Sequence, residues 1–506
     1  MSQRSVDPDF LALPRRALAD AALAAAMAAG ASYADLRIHR ITNEHIQLRD
    51  GELESAVETR ELGLAVRVIV NGTWGFASHG ELTVEVAAET ARRAVSVSTA
   101  LEPLNAEHIE LAAEPVYVDA TWVSDYLIDP FEVPTPDKIA LLGEYSGRLL
   151  AADGVDHVSA GVSAVKEQTF YADTFGSSIT QQRVRVMPMF EAVTVDPAAG
   201  SFDSMGTLSP PYGRGWEVLG GDDVWNWSAE LAELPSLLAE KVKSPSVVAG
   251  PTDLVIDPSN LWLTIHESIG HATEYDRAIG YEAAYAGTSF ATPDKLGSMR
   301  YGSPVMNVTA DRTVEHGLAS IGYDDEGVQS QSWDLVRDGI FVGYQLDRVF
   351  ASRLGQARSN GCSYADSPHH VPIQRMANVS LEPAAEDIST ADLISRVSDG
   401  IFIVGDKSWS IDMQRYNFQF TGQRFFKIRD GRLDGQLRDV AYQATTTDFW
   451  NSMEAVGGPS TWVLGGAFNC GKAQPGQVAA VSHGCPSALF RGVNVLNTRE
   501  ESGRSA

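Results

Sequence analysis

The sequence predicts an α+β protein, with one or more N-terminal antiparallel sheets flanked by helices and a mainly β C-terminal domain carrying one distinctive helix. Three observations predict it. Long period-2 runs in the first half are punctuated by Asp50-Gly51 and Asn71-Gly72, the dipeptides of tight hairpin turns. Helix-favouring stretches alternate with those runs. In the second half, short strand-like runs and glycine turns surround a single long helical candidate at 261–284.

The elements follow in order. Residues 14–30 favour helix. Strand patterns then run through DLRIHRI (35–41), EHIQLRDGELESAVETR (44–60) and LGLAVRVIVNGTWGFAS (62–78). A second helix is expected over 81–100, so residues 1–105 form a first helix-and-sheet unit. A proline-bearing passage leads to a third helix at 137–153 and to alternating runs at 157–173 and 177–195. This repeats the helix-then-hairpin order and suggests a second, related unit at about 130–245. A Gly/Pro-rich stretch (205–221) and a charged helix (228–244) close an N-terminal region of residues 1–245. Residues 246–506 form the C-terminal domain, whose last residues, 499–506, are expected to fray.

Composition narrows the function. The 506 residues are 44% hydrophobic and 21% charged, ordinary for a globular protein with a large core. A net charge of −27 repels phosphate backbones and anionic lipid, so nucleic-acid and membrane partners are not expected. Three cysteines, Cys362, Cys470 and Cys485, are too few for a disulfide scaffold and suit a reducing compartment. The alanine-rich run after Arg15-Arg16 is interrupted by Asp20 and reads as a helix rather than a leader, and no run approaches a membrane span. A cytoplasmic protein is expected.

The chemistry concentrates in HESIGH, residues 266–271. In the zinc-protease signature two histidines four apart share a helix face and the glutamate between them is the base. Here they are five apart. Four residues on a regular helix are about 40° apart in projection and five are about 140° apart, so a regular helix would aim His266 and His271 at nearly opposite sides. A metal site therefore requires the helix to widen into a π-bulge or to break near Ile269-Gly270, where glycine eases the distortion. The apolar LWLTI before His266 implies burial, and a nearby cation would relieve the cost of burying Glu267. Zinc would need at least one more protein ligand. Glu274, Asp276, Glu282, His316, Cys362, His369, His370, Cys470, His483 and Cys485 are all candidates, and spacing does not choose among them. By chance the motif arises in roughly one chain in fifty of this composition, so alone it decides little.

Several stretches together carry more. HESIGHATEYDRA (266–278) resembles the extended motif His-Glu-x-x-x-His-x-x-Glu-x-Asp of the TldD branch of the TldD/PmbA metalloproteases. The likeness continues through AGTSF (286–290), IGYDDEGVQSQSWDLVRDG (321–339), RMANVSLEP (375–383), WSIDMQRYNFQFTG (409–422) and FNCGKAQPGQ (468–477). The resemblance implies zinc held by His266, His271 and Cys470, with Glu267 as catalytic base. It implies a peptidase acting on short or unfolded polypeptides, often paired with an inactive PmbA (TldE) partner subunit; a self-dimer is the other expectation. The intact motif places the chain with the catalytic branch. One departure is CGKAQPGQ, where the family pattern is a tighter CGK-x-GQ, and VSHGCPSALF (481–490) resembles a subfamily variant.

That assignment is chemically coherent. Two imidazoles and a thiolate leave one zinc position open, as catalytic sites require. Glu267 would take a proton from water and deliver it to the leaving amine. Glu274 and Asp276 are expected either to orient the histidines or to lie as solvated helix charges. Cys485 and Cys362 read as buried thiols, His369-His370 as a solvated turn, and Asp324-Asp325-Glu326 as a solvated or hydrogen-bonded turn rather than a cation site. No nucleophile elbow, Walker A loop, dinucleotide fingerprint or zinc-deaminase signature is present. The sequence thus predicts a zinc peptidase, with a non-catalytic peptide-binding or scaffold subunit as the alternative.

Overall fold

The structure is a computed structural model describing residues 5–196 and 201–501. It opens with α1 (Pro8–Leu11) and α2 (Arg15–Ala28), then β1 (Tyr33–Arg49), β2 (Glu52–Val70), β3 (Thr73–His79) and α3 (Val84–Leu101). The hairpin turns fall where expected: Asp50-Gly51 and Asn71-Gly72 all take positive φ, as two-residue turns of this type require. Next come β4 (Ala120–Val123), α4 (Thr135–Leu150), β5 (His157–Asp173), β6 (Ser178–Asp196), β7 (Ser201–Gly206) and α5 (Trp227–Lys241).

The strands of both helix-and-hairpin units join one seven-stranded sheet, ordered β3-β2-β1-β5-β6-β4 with β7 on β6. All its pairings are antiparallel except β4 with β6. Period 2 gives this sheet two different faces. Leu36, Ile38, Ile46 and Leu48 of β1 share one face and are buried. The first pair packs with α2 and α3, the second with α4 and α5. Alanines do much of the packing, with Ala19, Ala22 and Ala26 of α2 and Ala87, Ala91 and Ala94 of α3 all buried in one cluster.

The opposite face carries Asp35, Arg37, His39, Arg67, Glu167, Arg183 and Arg185, and every one is buried. The C-terminal half covers it. Arg37 pairs with Asp325, Arg67 reaches Glu326 at 3.1 Å and Asp35 at 2.7 Å, and the Tyr364 hydroxyl donates to Glu167 at 2.5 Å. Asp324 accepts three backbone N–H bonds, from Glu326, Val328 and Ser363. The 324–326 turn is therefore hydrogen-bonded but not solvated. Its carboxylates anchor one half of the molecule to the other, and removing one partner of such a buried pair costs about 3–5 kcal/mol.

The C-terminal half contains β8 (Gly250–Ile256), α6 (Pro258–Ile265), the short α7 (Tyr275–Ala278), β9 (Val308–Asp311), β10 (Ser332–Arg337), β11 (Ile340–Phe341), β12 (Ser363–Tyr364), β13 (Ile373–Gln374) and β14 (Asn378–Leu381). It continues with β15 (Asp399–Ile411), β16 (Asn417–Arg429), β17 (Arg432–Leu437), β18 (Val440–Thr445), β19 (Met453–Val456), β20 (Val463–Lys472), β21 (Gln477–Cys485) and β22 (Ala488–Asn497). Strands β15-β8-β22-β18-β16 close into a ring through the β15–β16 pairing, with β17 and β19 attached. The strands β11-β10-β9-β14 form a second sheet, while β12-β13 and β20-β21 are two-stranded. The α+β class holds. The final expected fray is a short helical turn at Thr498–Glu501, and 502–506 lie outside the described residues. Among the described residues no helix is long and apolar enough to cross a membrane.

Candidate metal centre

The helix that carries the motif begins as its sequence dictates. Asp257 caps α6 by accepting from the Ser259 N–H at 3.0 Å, and Pro258 occupies the first helical position, where no N–H is needed. α6 ends at Ile265, and His266–Gly270 form a π-helical turn closed by an N–H bond from His271 to the His266 carbonyl. This is the widening that the five-residue spacing requires. It brings the two imidazoles together, with ring centroids 4.7 Å apart.

A widened turn leaves carbonyls without regular helical donors, and three here are given side-chain donors. Tyr301 donates to Ser268, the Thr273 hydroxyl donates to Ile269 at 2.9 Å, and the Gln345 amide donates to Gly270 at 2.8 Å. Gly270 also packs closely on Met376: a Cβ there would lie 2.5 Å from Met376 Sδ, and the thioether would have to shift. The long helix expected over 261–284 does not form. A 3-10 turn at His271–Thr273 is followed by Glu274 in an extended conformation, bridged to Gln345, before the single turn of α7. The side chain of Glu274 is needed at His271, and the chain bends to deliver it.

The structure gathers His266, His271 and Cys470, whose potential ligand atoms all lie within 4.8 Å of one another and are buried. Cys470 Sγ sits 3.6 Å from His271 Nε2. Hydrogen bonds fix both tautomers. His483 Nδ1 donates to the Val379 carbonyl at 2.8 Å, so its Nε2 accepts from His266 Nδ1 at 2.7 Å. His271 Nδ1 donates to Glu274 at 2.8 Å. Each motif histidine thus keeps an Nε2 lone pair for the cluster. Burial drives the His266 imidazole well below its ordinary 6.5 and holds His271 at about 3, so both are neutral. Burial also pushes the Cys470 thiol up to about 11, partly offset by Arg375, which lies 3.4 Å from the sulfur.

Glu267 is buried and ion-paired with Arg415. Burial raises its carboxyl and Arg415 opposes the shift. Arg415 sits at φ 63°, a left-handed position that non-glycine residues seldom take, in a loop pinned by N–H bonds from Gln414, Tyr416 and Asn417 to Asp412. The AGTSF segment docks on the same loop, Thr288 N–H donating to Met413 at 2.8 Å and Phe290 N–H to Gln414 at 3.0 Å. Lys472, two residues beyond Cys470, reaches Glu274 at 3.1 Å and Asp276 at 2.7 Å. Burial raises Glu274, but Lys472 and the His271 hydrogen bond outweigh it and hold that carboxyl well below its usual range. Of the two carboxylates expected to orient histidines, Glu274 does so and Asp276 serves Lys472 instead; neither is solvated.

The other candidate ligands lie outside this group. His316 belongs with Asp125 and Glu315, and Asp276, Glu282, Cys362, His369, His370 and Cys485 are not among the clustered donors. Cys362 and Cys485 are buried free thiols, and His370 is exposed beside Asp366 at 2.6 Å. Sequence reasoning gave no role to Arg375, Arg415 or Gln345, and weighed His483 only as a ligand. They come from distant strands and loops, and only Arg375 and Arg415 fall within stretches that carried the resemblance.

Comparison with known proteins matches residues 249–497 to the PmbA/TldA metallopeptidase C-terminal domain and residues 34–98 to the PmbA/TldA metallopeptidase domain 1. The chain belongs to the PmbA/TldD metallopeptidase family. Among relatives of this family member, a metalloprotease of Methanothermobacter thermautotrophicus is 28% identical over 92% of this chain and 96% of its own length. A zinc metalloprotease TldD homolog of Saccharolobus solfataricus is 23% identical over 92% and 97%. The solved structure of TldE from Thermococcus kodakarensis aligns with a TM-score of 0.68 over 94% of this chain and 98% of that one, at 16% identity. That likeness is one of fold. The PmbA/TldD architecture is what brings residues 266–271 and 470 to one point.

Proposed function

We propose that the protein is a zinc-dependent peptidase of the catalytic TldD type that hydrolyses short or unfolded polypeptides. His266 Nε2, His271 Nε2 and Cys470 Sγ would hold the metal, and Glu267 would be the base. The observation that carries this reading is the 3.6 Å separation of Cys470 Sγ and His271 Nε2, with the far side of each imidazole tied to another residue. A tetrahedral zinc with Zn–S near 2.3 Å and Zn–N near 2.05 Å has an S–N edge of about 3.6 Å. Two neutral imidazoles and one thiol form a donor set suited to zinc, and they leave a fourth position free.

When bound, zinc would lower the pKa of a coordinated water and polarise the scissile carbonyl. The chain's own residues supply the rest. Glu267 accepts the water proton and passes it to the departing amine, which needs an oriented carboxylate kept ionised despite burial. Arg415 keeps it so. Glu274 and His483 fix the imidazole tautomers, and Arg375 favours the thiolate form of Cys470.

The alternative, a non-catalytic peptide-binding or scaffold subunit, has one observation in its favour: Glu267 is engaged by Arg415. Zinc content and turnover of the native protein, Glu267→Gln and Cys470→Ala separate the readings. About one zinc per chain is expected in the native protein and in Glu267→Gln, and loss of zinc in Cys470→Ala. Cleavage of an unfolded polypeptide should fall about 10²–10⁴-fold in Glu267→Gln. Undiminished cleavage by that variant would refute its role as base, and zinc retained by Cys470→Ala would refute the ligand set. The fold likeness to TldE supports pairing with a TldE-like subunit or a second copy, which mass measurement in solution distinguishes. Three buried free thiols support a cytoplasmic location.

A further inference from the structure

A cavity of about 470 Å³ lies between the N-terminal sheet and the C-terminal half, walled by β6 and the 207–211 segment on one side and by α6, β15 and β20 on the other. That volume falls within the range of small-ligand sites. Its lining is lopsided in charge. Glu191, Asp257 and Asp406 contribute carboxylates, and among the described residues no lysine, arginine or histidine lines it. Two indoles, Trp225 and Trp262, and the Met187 and Met189 side chains supply aromatic and polarisable surface.

The two inner carboxylates have structural duties that use only part of each. Asp257 Oδ1 accepts from the Ser259 N–H at 3.0 Å and the Ser259 hydroxyl at 2.5 Å, while Asp406 Oδ1 accepts from Trp262 Nε1 at 3.2 Å. Neither forms an ion pair among the described residues. The cation acting on Asp257, Arg424, is paired with Glu230 at 3.4 Å. Burial raises both carboxyls above their ordinary range, the condition that an arriving cation would relieve. Helix capping and indole orientation account for the Oδ1 contacts. They do not account for two half-buried carboxylates, neither in an ion pair among the described residues, facing a roomy, indole-walled cavity.

From this juxtaposition we infer that the cavity binds an alkylammonium or guanidinium group on an aliphatic stem, presented by a polypeptide side chain or by a free polyamine. A bare metal ion would not need indoles or thioethers, whereas an organic cation uses both: the head pairs with carboxylate and indole face, the stem packs on methionine. In the peptide case, which rests on the peptidase reading above, the cavity is a specificity subsite. Trp262 connects it to the metal centre. The same indole stacks on His483 with ring planes 11° apart, and His483 holds His266.

The test uses the full chain carrying Glu267→Gln, so that binding is read without turnover. Nα-acetyl-arginine amide and agmatine should bind saturably by calorimetry, about tenfold or more tighter than the neutral isostere Nα-acetyl-citrulline amide. Asp406→Asn and, separately, Asp257→Asn retain the hydrogen-bond acceptor and should each weaken the cationic probes about tenfold, with folding checked by circular dichroism. Equal binding of arginine and citrulline amides, no saturable binding of either cationic probe, or binding indifferent to both substitutions in folded protein would overturn the inference. In the native protein, faster cleavage of an arginine peptide than of its citrulline twin assigns the site to substrate. Equal rates with agmatine still bound assign it to a free polyamine. If no peptide is cleaved at all, the peptidase reading fails while the binding arms still decide the cavity.

Discussion

Replacing His483 with phenylalanine should weaken zinc binding about 10- to 100-fold without displacing any proposed ligand. His483 is fully buried, and its Nδ1 proton is committed to the Val379 carbonyl at 2.8 Å, which leaves Nε2 as an obligatory acceptor for His266 Nδ1–H at 2.7 Å. Phenylalanine retains an aromatic ring against Trp262 while the acceptor disappears; because its ring is larger, folding is checked by circular dichroism alongside zinc affinity. His266 is then left with a buried N–H lacking a partner, a penalty of about 1–3 kcal/mol, or must move its proton to Nε2, where it would block coordination. Loss of such a supporting contact typically costs 10- to 100-fold in metal affinity, about 1.4–2.7 kcal/mol. Competition against a chromophoric chelator at constant pH reads this directly. Cys485→Ala is the control, because that thiol points to the Pro258 carbonyl at 3.6 Å and should leave affinity unchanged. Native-like zinc affinity in His483→Phe would refute the argument that the Val379–His483–His266 chain sets the tautomer.

Three further outcomes follow from the same structure. Gly270→Ala places a methyl 2.5 Å from Met376 Sδ and 2.9 Å from its Cε, and should destabilise the fold by about 1–3 kcal/mol in denaturant titration, with recovery when Met376 is also shortened to alanine. Lys472→Met removes the cation shared by Glu274 and Asp276 and should cost about 3–5 kcal/mol by the same measurement; a loss under 1 kcal/mol would mean the carboxylates are balanced elsewhere. His39 is held by burial at about 4, so between pH 4 and 6.5 the unfolded chain binds a proton that the folded chain refuses. Its contribution is complete above pH 6.5 and falls by up to about 3 kcal/mol as pH drops toward 4, and His39→Gln should flatten stability over that window.

What the sequence made legible is what local chemistry controls. The first two hairpins could be placed because Asp50-Gly51 and Asn71-Gly72 are cheap residues for positive φ, and β5 and β6 because alternating stretches recur along 157–173 and 177–195. The bulge at 266–270 was legible too, since helical geometry leaves few other ways to bring together histidines five apart. The helix beyond Thr273 was misread, because apolar periodicity carries no sign that Glu274 is needed at His271 or that Gln345 bridges its backbone. Cys470 could not be chosen from spacing, lying 199 residues from His271, and was reached only through the resemblance. The sequence carries no sign of what covers the charged face of β1. Its true cover, the 324–326 turn, arrives from 288 residues away in the Arg37–Asp325 pair, and no local pattern announces that.

The charges around the centre explain why so much polar material can be buried there. Glu267, Glu274, Asp276 and Glu282 supply four negative charges, and Arg277, Arg375, Arg415 and Lys472 supply four positive ones, through pairs such as Arg277–Glu282 at 3.0 Å and Lys472–Asp276 at 2.7 Å. This shell is neutral as a whole, so it neither attracts nor repels a dication by net charge. What it does is fix positions: each carboxylate has a cation, each cation has an acceptor, and the imidazoles are held in one tautomer. Selectivity for a divalent metal then rests on the three inner donors, of which only the thiol brings charge. A dication bound with one thiolate would leave the centre with a single positive charge that no residue of the shell cancels. A carboxylate ligand in place of Cys470 would give the same sum but a harder donor, so the thiol sets which metal is held rather than how much charge remains. If zinc is held by these donors, that charge would be available to stabilise an anion developing on a substrate carbonyl, with the shell already in place.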